Sequence, residues 1–245
     1  MGAVHNDRPE TLLTSALAFP AKVVVRYPPP FIEEERQFQL PLFRHSRHGA
    51  SLNKNPPISA VTAAIDGYGS CGNVCAFTGH RPQNLPFGFN ESNEKCVALK
   101  KCLRDLIVEL IEQQNVTAFI SGMAIGVDMY AAEIVLELKA EYPFITLECA
   151  IPCETQAAKW SEPLRDRYYR IAELCDKETM LQTHYTPDCM KKRNRYMVDQ
   201  CDILLAVWDE KPSGAGLTVR YAQTQEKSIW IVNPNTLEVQ YSGCD

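Results

Sequence analysis

No stretch of the 245-residue chain approaches the roughly 18 consecutive apolar residues that a membrane-spanning helix needs, so no membrane partner is expected. The opening residues, MGAVHNDRPE, lack the basic-then-apolar layout of a secretion signal, and a cytoplasmic location is expected. Basic charge is in deficit: 25 Lys and Arg stand against 30 Asp and Glu, a formal net charge of -5. That argues against a surface built for bulk binding of a phosphate backbone, while a local basic cluster can still bind nucleic acid. Cysteine pairs of the CxxC kind are missing. The ten cysteines fall at 71, 75, 96, 102, 149, 153, 175, 189, 201 and 244, mostly beside apolar residues. A zinc site from the pairs Cys71/Cys75 and Cys149/Cys153 is one reading. Buried reduced thiols packing as small hydrophobes is the other, and on it no metal or cofactor is expected.

What is present is organised around Thr117–Asp128, TAFISGMAIGVD. A short apolar strand breaks at Ser121-Gly122 and re-forms as a helix from about Val127. Glycines there let backbone N–H groups approach a ligand closely, at a helix start where unpaired donors and the dipole favour an anion. The spacing SGxxxGxD is not the dinucleotide G-x-G-x-x-G, and such turns also use glycine for packing alone.

Residues 1–70 differ from the rest. Pro28-Pro29-Pro30, Pro41, Pro56-Pro57 and the polar run Arg44–Asn55 show no sustained period, so a largely irregular N-terminal extension is expected, with one strand at Ala21–Tyr27. A domain is expected over 71–245. Within the extension, Gln37-Phe38-Gln39-Leu40-Pro41-Leu42-Phe43 resembles the QLxLPLF peptides that dock on the bacterial sliding clamp. Leu40, Leu42 and Phe43 would enter an apolar pocket; the alternative is that the same side chains fold back on the domain.

From Asn73 onward short apolar strands alternate with longer helical segments. Strands are expected at Val74–Phe77, Ala118–Ile120, Thr146–Ile151, Glu178–Gln182, Asp202–Trp208 and Ser228–Asn233. Helices are expected at Glu94–Gln114, with Val97 and Leu103 on its apolar face, and at Val127–Ala140. Further helices are expected from Ser161, as N-cap, to Cys175, then at Pro187–Asp199 and Gly216–Glu226. Alternation with few hairpin signals predicts an α/β, Rossmann-like fold, a mostly parallel sheet with helices on both faces. Ligands then bind beyond the strand carboxyl ends.

The turns on that rim carry the candidate site. Gly79, His80 and Arg81 follow the first strand: Arg81 can fork onto phosphate, and His80 can shuttle a proton or satisfy buried carbonyls. Ser121, Gly122, Gly126 and Asp128 follow the second, where Asp128 either suits a helix start or binds ribose. Glu154, Gln156 and Trp160 follow the third, with Trp160 as base-stacking platform or packing. Lys191-Lys192-Arg193-Asn194-Arg195 offers a basic helix start, facing either phosphate or solvent. Ser213, Gly214, Gly216 and Thr218 make a second anion cradle.

The stretches TGHRP at 78–82, SGMAIGVD at 121–128, KRNRYMVDQCD at 192–202 and SGAGLT at 213–218 together resemble the YpsA-like branch of the SLOG superfamily, which also holds DprA and the LOG hydrolases. The resemblance covers roughly 73–235. It implies a Rossmann-like fold and a pocket for a nucleotide or nucleotide-derived ligand, in a branch linked to cell division in Gram-positive bacteria. LOG hydrolases carry PGGxGTxxE, whose glutamate serves N-glycosidic cleavage; here Tyr221 stands in that place, and a phenol is a poor base near neutral pH.

Three functions follow. The first is a cytoplasmic sensor or adaptor binding a nucleotide-like small molecule through Gly79, His80, Arg81, Ser121, Gly122, Gly126, Asp128, Glu154, Trp160, Arg193, Asn194, Ser213, Gly214, Gly216 and Thr218. The second is a nucleotide N-glycosidase of the phosphoribohydrolase kind, with Glu154 or His80 as acid/base. The third is a DprA-like factor recruited to the sliding clamp by Gln37–Phe43 and contacting single-stranded DNA through Lys191–Arg195. A homo-oligomer is compatible with each.

Overall fold

A computed structural model describes residues 72–243. The expected strand at Ala21–Tyr27, the Gln37–Phe43 peptide, the irregular character of 1–70, Cys71 and Cys244 lie outside the described residues. Seven strands form one sheet in the order β4-β3-β2-β1-β5-β6-β7. They are β1 (Asn73–Gly79), β2 (Val116–Ser121), β3 (Thr146–Ile151), β4 (Lys177–Met180), β5 (Ile203–Val207), β6 (Ser228–Val232) and β7 (Val239–Ser242). The first six run parallel, and β7 pairs antiparallel with β6. This is the expected Rossmann-like α/β architecture. Among the described residues no helix is long and apolar enough to cross a membrane.

Five helices connect the strands: α1 (Glu94–Gln113), α2 (Val127–Leu138), α3 (Glu162–Leu174), α4 (Cys189–Gln200) and α5 (Gly214–Thr224). Their apolar stripes explain their positions. In α1, Leu99, Leu103, Leu106, Ile107, Leu110 and Ile111 are buried, at the spacing that stacks side chains on one helix face. Each fully buried leucine contributes about 1.5–3 kcal/mol relative to an exposed one. Val97, expected on that face, is 56% exposed, because at 100° per residue it lies round the helix from the stripe. One core cluster gathers residues of α1, α2 and α3 with Phe77 and Phe119 of the sheet, whose rings stack at 5.7 Å. The opposite cluster packs Met197, Val198, Val219 and Ala222 of α4 and α5 on Ala76, Ile120, Leu204 and Ala206. Cys75, Cys96, Cys149 and Cys201 sit within these clusters, as packing residues.

Helix starts follow local chemistry. Asn93 Oδ1 accepts from Lys95 N at 3.0 Å, and Ser213 Oγ accepts from Gly216 N at 3.1 Å, each satisfying one orphan donor. Ser161 occupies the N-cap of α3 with no side-chain hydrogen bond; Pro163, with its fixed φ and missing N–H, suits that first turn.

The connection from β1 leads outward through β2, β3 and β4, and the chain then returns to lay β5 on the other side of β1. The point where strand order reverses therefore lies between β1 and β5, and their carboxyl ends frame the crevice that such sheets use for ligands.

Candidate functional site

At that reversal point a cavity of 180 Å³ is lined by Thr78, Gly79, His80 and Arg81 from the end of β1, by Arg193 and Asn194 from α4, and by Ser213, Gly214 and Ala215 at the start of α5. Ala124, Asp128, Asn84 and Met190 complete it. Eight of the sequence-predicted residues thus meet in one hollow: Gly79, His80, Arg81, Asp128, Arg193, Asn194, Ser213 and Gly214.

The start of α5 forms one wall. The first amides of a helix have no intrahelical acceptor. Ser213 takes that of Gly216, which leaves those of Gly214 and Ala215 to the cavity both residues line. A Cβ at Gly214 would stand in open space, with nothing within 4 Å. The neighbouring glycine works differently: a Cβ at Gly216 would stand 2.9 Å from the Trp208 ring, so Gly216 allows α5 to pack on that indole. Thr218 donates to Gly214 O at 3.0 Å and accepts from Asn194 at 2.8 Å, tying α4 to α5. Thr218 lines a neighbouring cavity of 420 Å³ with Tyr221, Leu217 and Lys191.

Opposite α5 lies a buried charge pair. Arg193 is 4% and Asp128 7% exposed, and Arg193 Nη1 stands 3.6 Å from Asp128 Oδ2. Nη1 also donates to Gly122 O. Burial pushes the Asp128 carboxyl above its ordinary range, against the pull of Arg193, the Ala124 N–H and Arg81. Burial pushes Arg193 down, with Asp128 opposing and Arg81 adding to the effect; the guanidinium nonetheless stays charged, since arginine does not deprotonate in proteins. Two guanidinium groups and a helix N-terminus therefore face one carboxylate, a surplus of positive potential in a small space. Among the described residues Arg193 Nε and His80 Nδ1 are buried without a hydrogen-bond partner. Such orphaned donors and acceptors cost about 1–3 kcal/mol each.

His80 is oriented by Asp209, a residue outside every motif named above. Its Nε2 lies 2.7 Å from Asp209 Oδ1, while Lys211 Nζ meets Asp209 Oδ2 at 2.7 Å. Burial raises the Asp209 carboxyl, but Lys211 and His80 outweigh it and bring the group down to about 2. The signal was in the sequence: Asp209 stands two residues beyond the carboxyl end of the all-apolar β5. Asn84, Ala124, Met190 and Ala215 also line the cavity without having been singled out, because each is an ordinary residue recruited by proximity; Thr78 belongs to the β1 turn already placed on the rim.

The remaining predicted residues do not line the 180 Å³ cavity, each for a physical reason. Gly122 lies behind Arg193: a Cβ there would overlap the guanidinium, and its carbonyl also accepts from Gln156 at 3.1 Å. Ser121 is fully buried, donating to Asp128 O at 2.8 Å and accepting from Met123 N at 3.1 Å. The Ser121-Gly122 part of the expected cradle at 121–126 is thus covered by its own hydrogen bonds and by Arg193, while Ala124 reaches the cavity. Gly126 has φ +104, and a Cβ would sit 2.8 Å from His80 O, so it serves the close approach of two turns. Gly79 lines the cavity yet also makes room for Val127, which would lie 2.5 Å from a Cβ. Glu154 is exposed on the loop after β3. Trp160 packs edge-to-face on Tyr168 at 5.5 Å, joined to the core. Of the basic run, Lys192 pairs with Asp188 at 3.1 Å, and Arg195 lies 5.1 Å from the Tyr221 ring centre.

The chain is similar to known proteins in sequence and in structure. A UPF0398 protein of Brevibacillus brevis is 31% identical over 157 residues, covering 61% of this chain and 83% of its own. Another from Halalkalibacterium halodurans is 30% identical over 172 residues, covering 67% and 90%. Among solved structures, DNA processing protein A (DprA) from Streptococcus pneumoniae aligns with TM-score 0.46 at 15% identity, covering 66% of this chain and 50% of that one. Residues 75–237, running from within β1 to beyond β6 and including every residue of the cavity, match the family described as YspA SLOG; the chain belongs to that family, YpsA.

Proposed function

We propose that this protein is a cytoplasmic sensor or adaptor that binds a nucleotide or nucleotide-derived ligand, with phosphate held in the 180 Å³ cavity. One observation carries the reading: the buried, partly unpaired Arg193, the exposed Arg81 and the free amides at the start of α5 converge on one hollow. A phosphate oxygen accepts from guanidinium groups and from helix-start amides alike. Binding without bond cleavage is favoured because the acids nearest the hollow are committed. Asp128 faces Arg193, and Asp209 is held by His80 and Lys211.

The test is a thermal-shift and calorimetric panel of nucleoside mono- and diphosphates and ADP-ribose on the full chain. At a ligand concentration a hundredfold above Kd, binding adds about 2.7 kcal/mol to stability, a rise of roughly 5–10 °C for a domain of this size. Arg81→Ala removes a charge-assisted contact worth about 1.5–3 kcal/mol, so affinity falls about ten- to a hundredfold. No shift with any phosphate compound, or equal affinity in Arg81→Ala, refutes the reading.

A further inference from the structure

The 180 Å³ cavity is the middle of three. On one side, a cavity of 390 Å³ shares His80, Asn84 and Ser213 with it and adds Gln83, Lys211 and Asn235. On the other, the 420 Å³ cavity shares Met190, Asn194 and Gly214 and adds Leu217 and Tyr221. The two shared walls meet at consecutive residues, Ser213 and Gly214, at the start of α5.

Size decides what the middle can hold. Small-molecule sites occupy roughly 300–1,000 Å³, so 180 Å³ suits a phosphate group and not a whole nucleotide. The three hollows joined approach the upper end of that range, more than a mononucleotide fills. Their chemistries also differ. The 390 Å³ flank offers side-chain amides from Gln83, Asn84 and Asn235 and the Lys211 ammonium, groups that hydrogen-bond hydroxyls. The 420 Å³ flank offers Met190, Leu217 and Tyr221. Tyr221 is fixed there: its hydroxyl donates to Asp199 at 2.8 Å, and Arg195 lies against its ring. An apolar, aromatic wall suits a flat heterocycle. A ligand that reaches both flanks must cross the cationic middle, and its linker is therefore anionic.

We propose that the ligand is a two-ended diphosphate ester, with a base against Tyr221 and Leu217, the diphosphate across Ser213–Gly214, and a polyhydroxylated group among Gln83, Asn84 and Asn235. The proposal rests on the phosphate reading above and names the ligand class for that site.

The test is titration calorimetry of the full chain with AMP, ADP and ADP-ribose at fixed ionic strength, with UMP, UDP and UDP-glucose as a second base series. In at least one series the diphosphate binds tighter than the monophosphate, and the sugar-capped diphosphate binds at least tenfold tighter than the uncapped one. Gln83→Leu with Asn235→Leu brings that capped-to-uncapped ratio to about one. The ratio is read on one preparation, so a partly unfolded fraction cancels from it. Leu217→Asp weakens the capped and uncapped forms alike. Equal affinity for both forms in both series, or a ratio that survives the double substitution, overturns the two-ended ligand. If Arg81→Ala still abolishes diphosphate binding in that case, the phosphate site stands alone. If no member of either series binds, both readings fall.

Discussion

Arg193→Met keeps the length and apolar stem of the side chain while deleting its guanidinium, and it leaves Asp128 as a carboxylate in a site 7% exposed. Removing one partner of a buried ion pair costs about 3–5 kcal/mol. The carboxylate has an escape that caps this penalty: it can take up a proton. From its ordinary 3.8 to pH 7 is 3.2 units, and at about 1.36 kcal/mol each the ceiling is about 4 kcal/mol. At pH 5 the interval is 1.2 units and the ceiling about 2 kcal/mol. The lost hydrogen bond to Gly122 O adds about 1 kcal/mol at either pH. The sign follows from linkage. A carboxyl whose folded value is raised binds its proton more tightly in the native state, so its cost is absent below 3.8 and grows as pH rises towards the folded value. Urea unfolding at pH 7 and pH 5 therefore shows a deficit of about 4–5 kcal/mol shrinking to about 2–3. Adding Asp128→Asn recovers more than half of the pH 7 deficit. A deficit equal at the two pH values, or no recovery in the double variant, refutes the claim that the substitution leaves behind a buried carboxylate stripped of its ion-pair partner.

The glycines give sharper contrasts. Gly214→Ala, with open space around its Cβ, keeps or raises stability by about 0.4–1 kcal/mol while narrowing the cavity and weakening phosphate binding. Gly216→Ala, pressed against Trp208, costs about 1–3 kcal/mol; denaturant midpoints compare the two. Gly126→Ala, forced to φ +104 and against His80 O, costs about 1–3 kcal/mol from backbone strain alone, and calorimetric Tm shows a fall larger than for Gly214→Ala. For Asp209, whose folded value is depressed to about 2, the stabilisation is present above 3.8 and lost as pH falls from there to about 2. In acid titration followed by circular dichroism, Asp209→Asn flattens that part of the profile, and an unchanged profile contradicts the assignment.

The sheet was legible because its strands are short apolar runs with helices of regular period between them; Thr146–Ile151 needed no adjustment. β7 escaped notice since Val239–Ser242 is largely exposed and carries no buried alternation. At the site, the α5 start was readable from Ser213-Gly214 and the β1 turn from His80 and Arg81. Of the SGMAIGVD turn, Ala124 and Asp128 line the cavity while Ser121, Gly122 and Gly126 do not, for a definite reason. Small residues mark any place where backbone is closely approached, and here a guanidinium from α4 makes the approach. A single sequence names the gap but not its occupant. Asp209 and Met190 came from segments distant in sequence, and their recruitment depends on three-dimensional proximity that no local pattern encodes.

The return of the chain to β1 has a consequence for synthesis. His80 and Asp209 are 129 positions apart, and β1 waits for β5 while more than a hundred residues are translated. At about 5–20 residues per second, the edge of β1 stays unpaired for roughly 6–25 s. During that interval an apolar strand emerging from the ribosome has one flank without its neighbour, a state that invites chaperones and mispairing. The cavity at the reversal point takes its lining from Thr78 to Ala215, so it cannot close until α4, β5 and the start of α5 have all been made and folded onto β1.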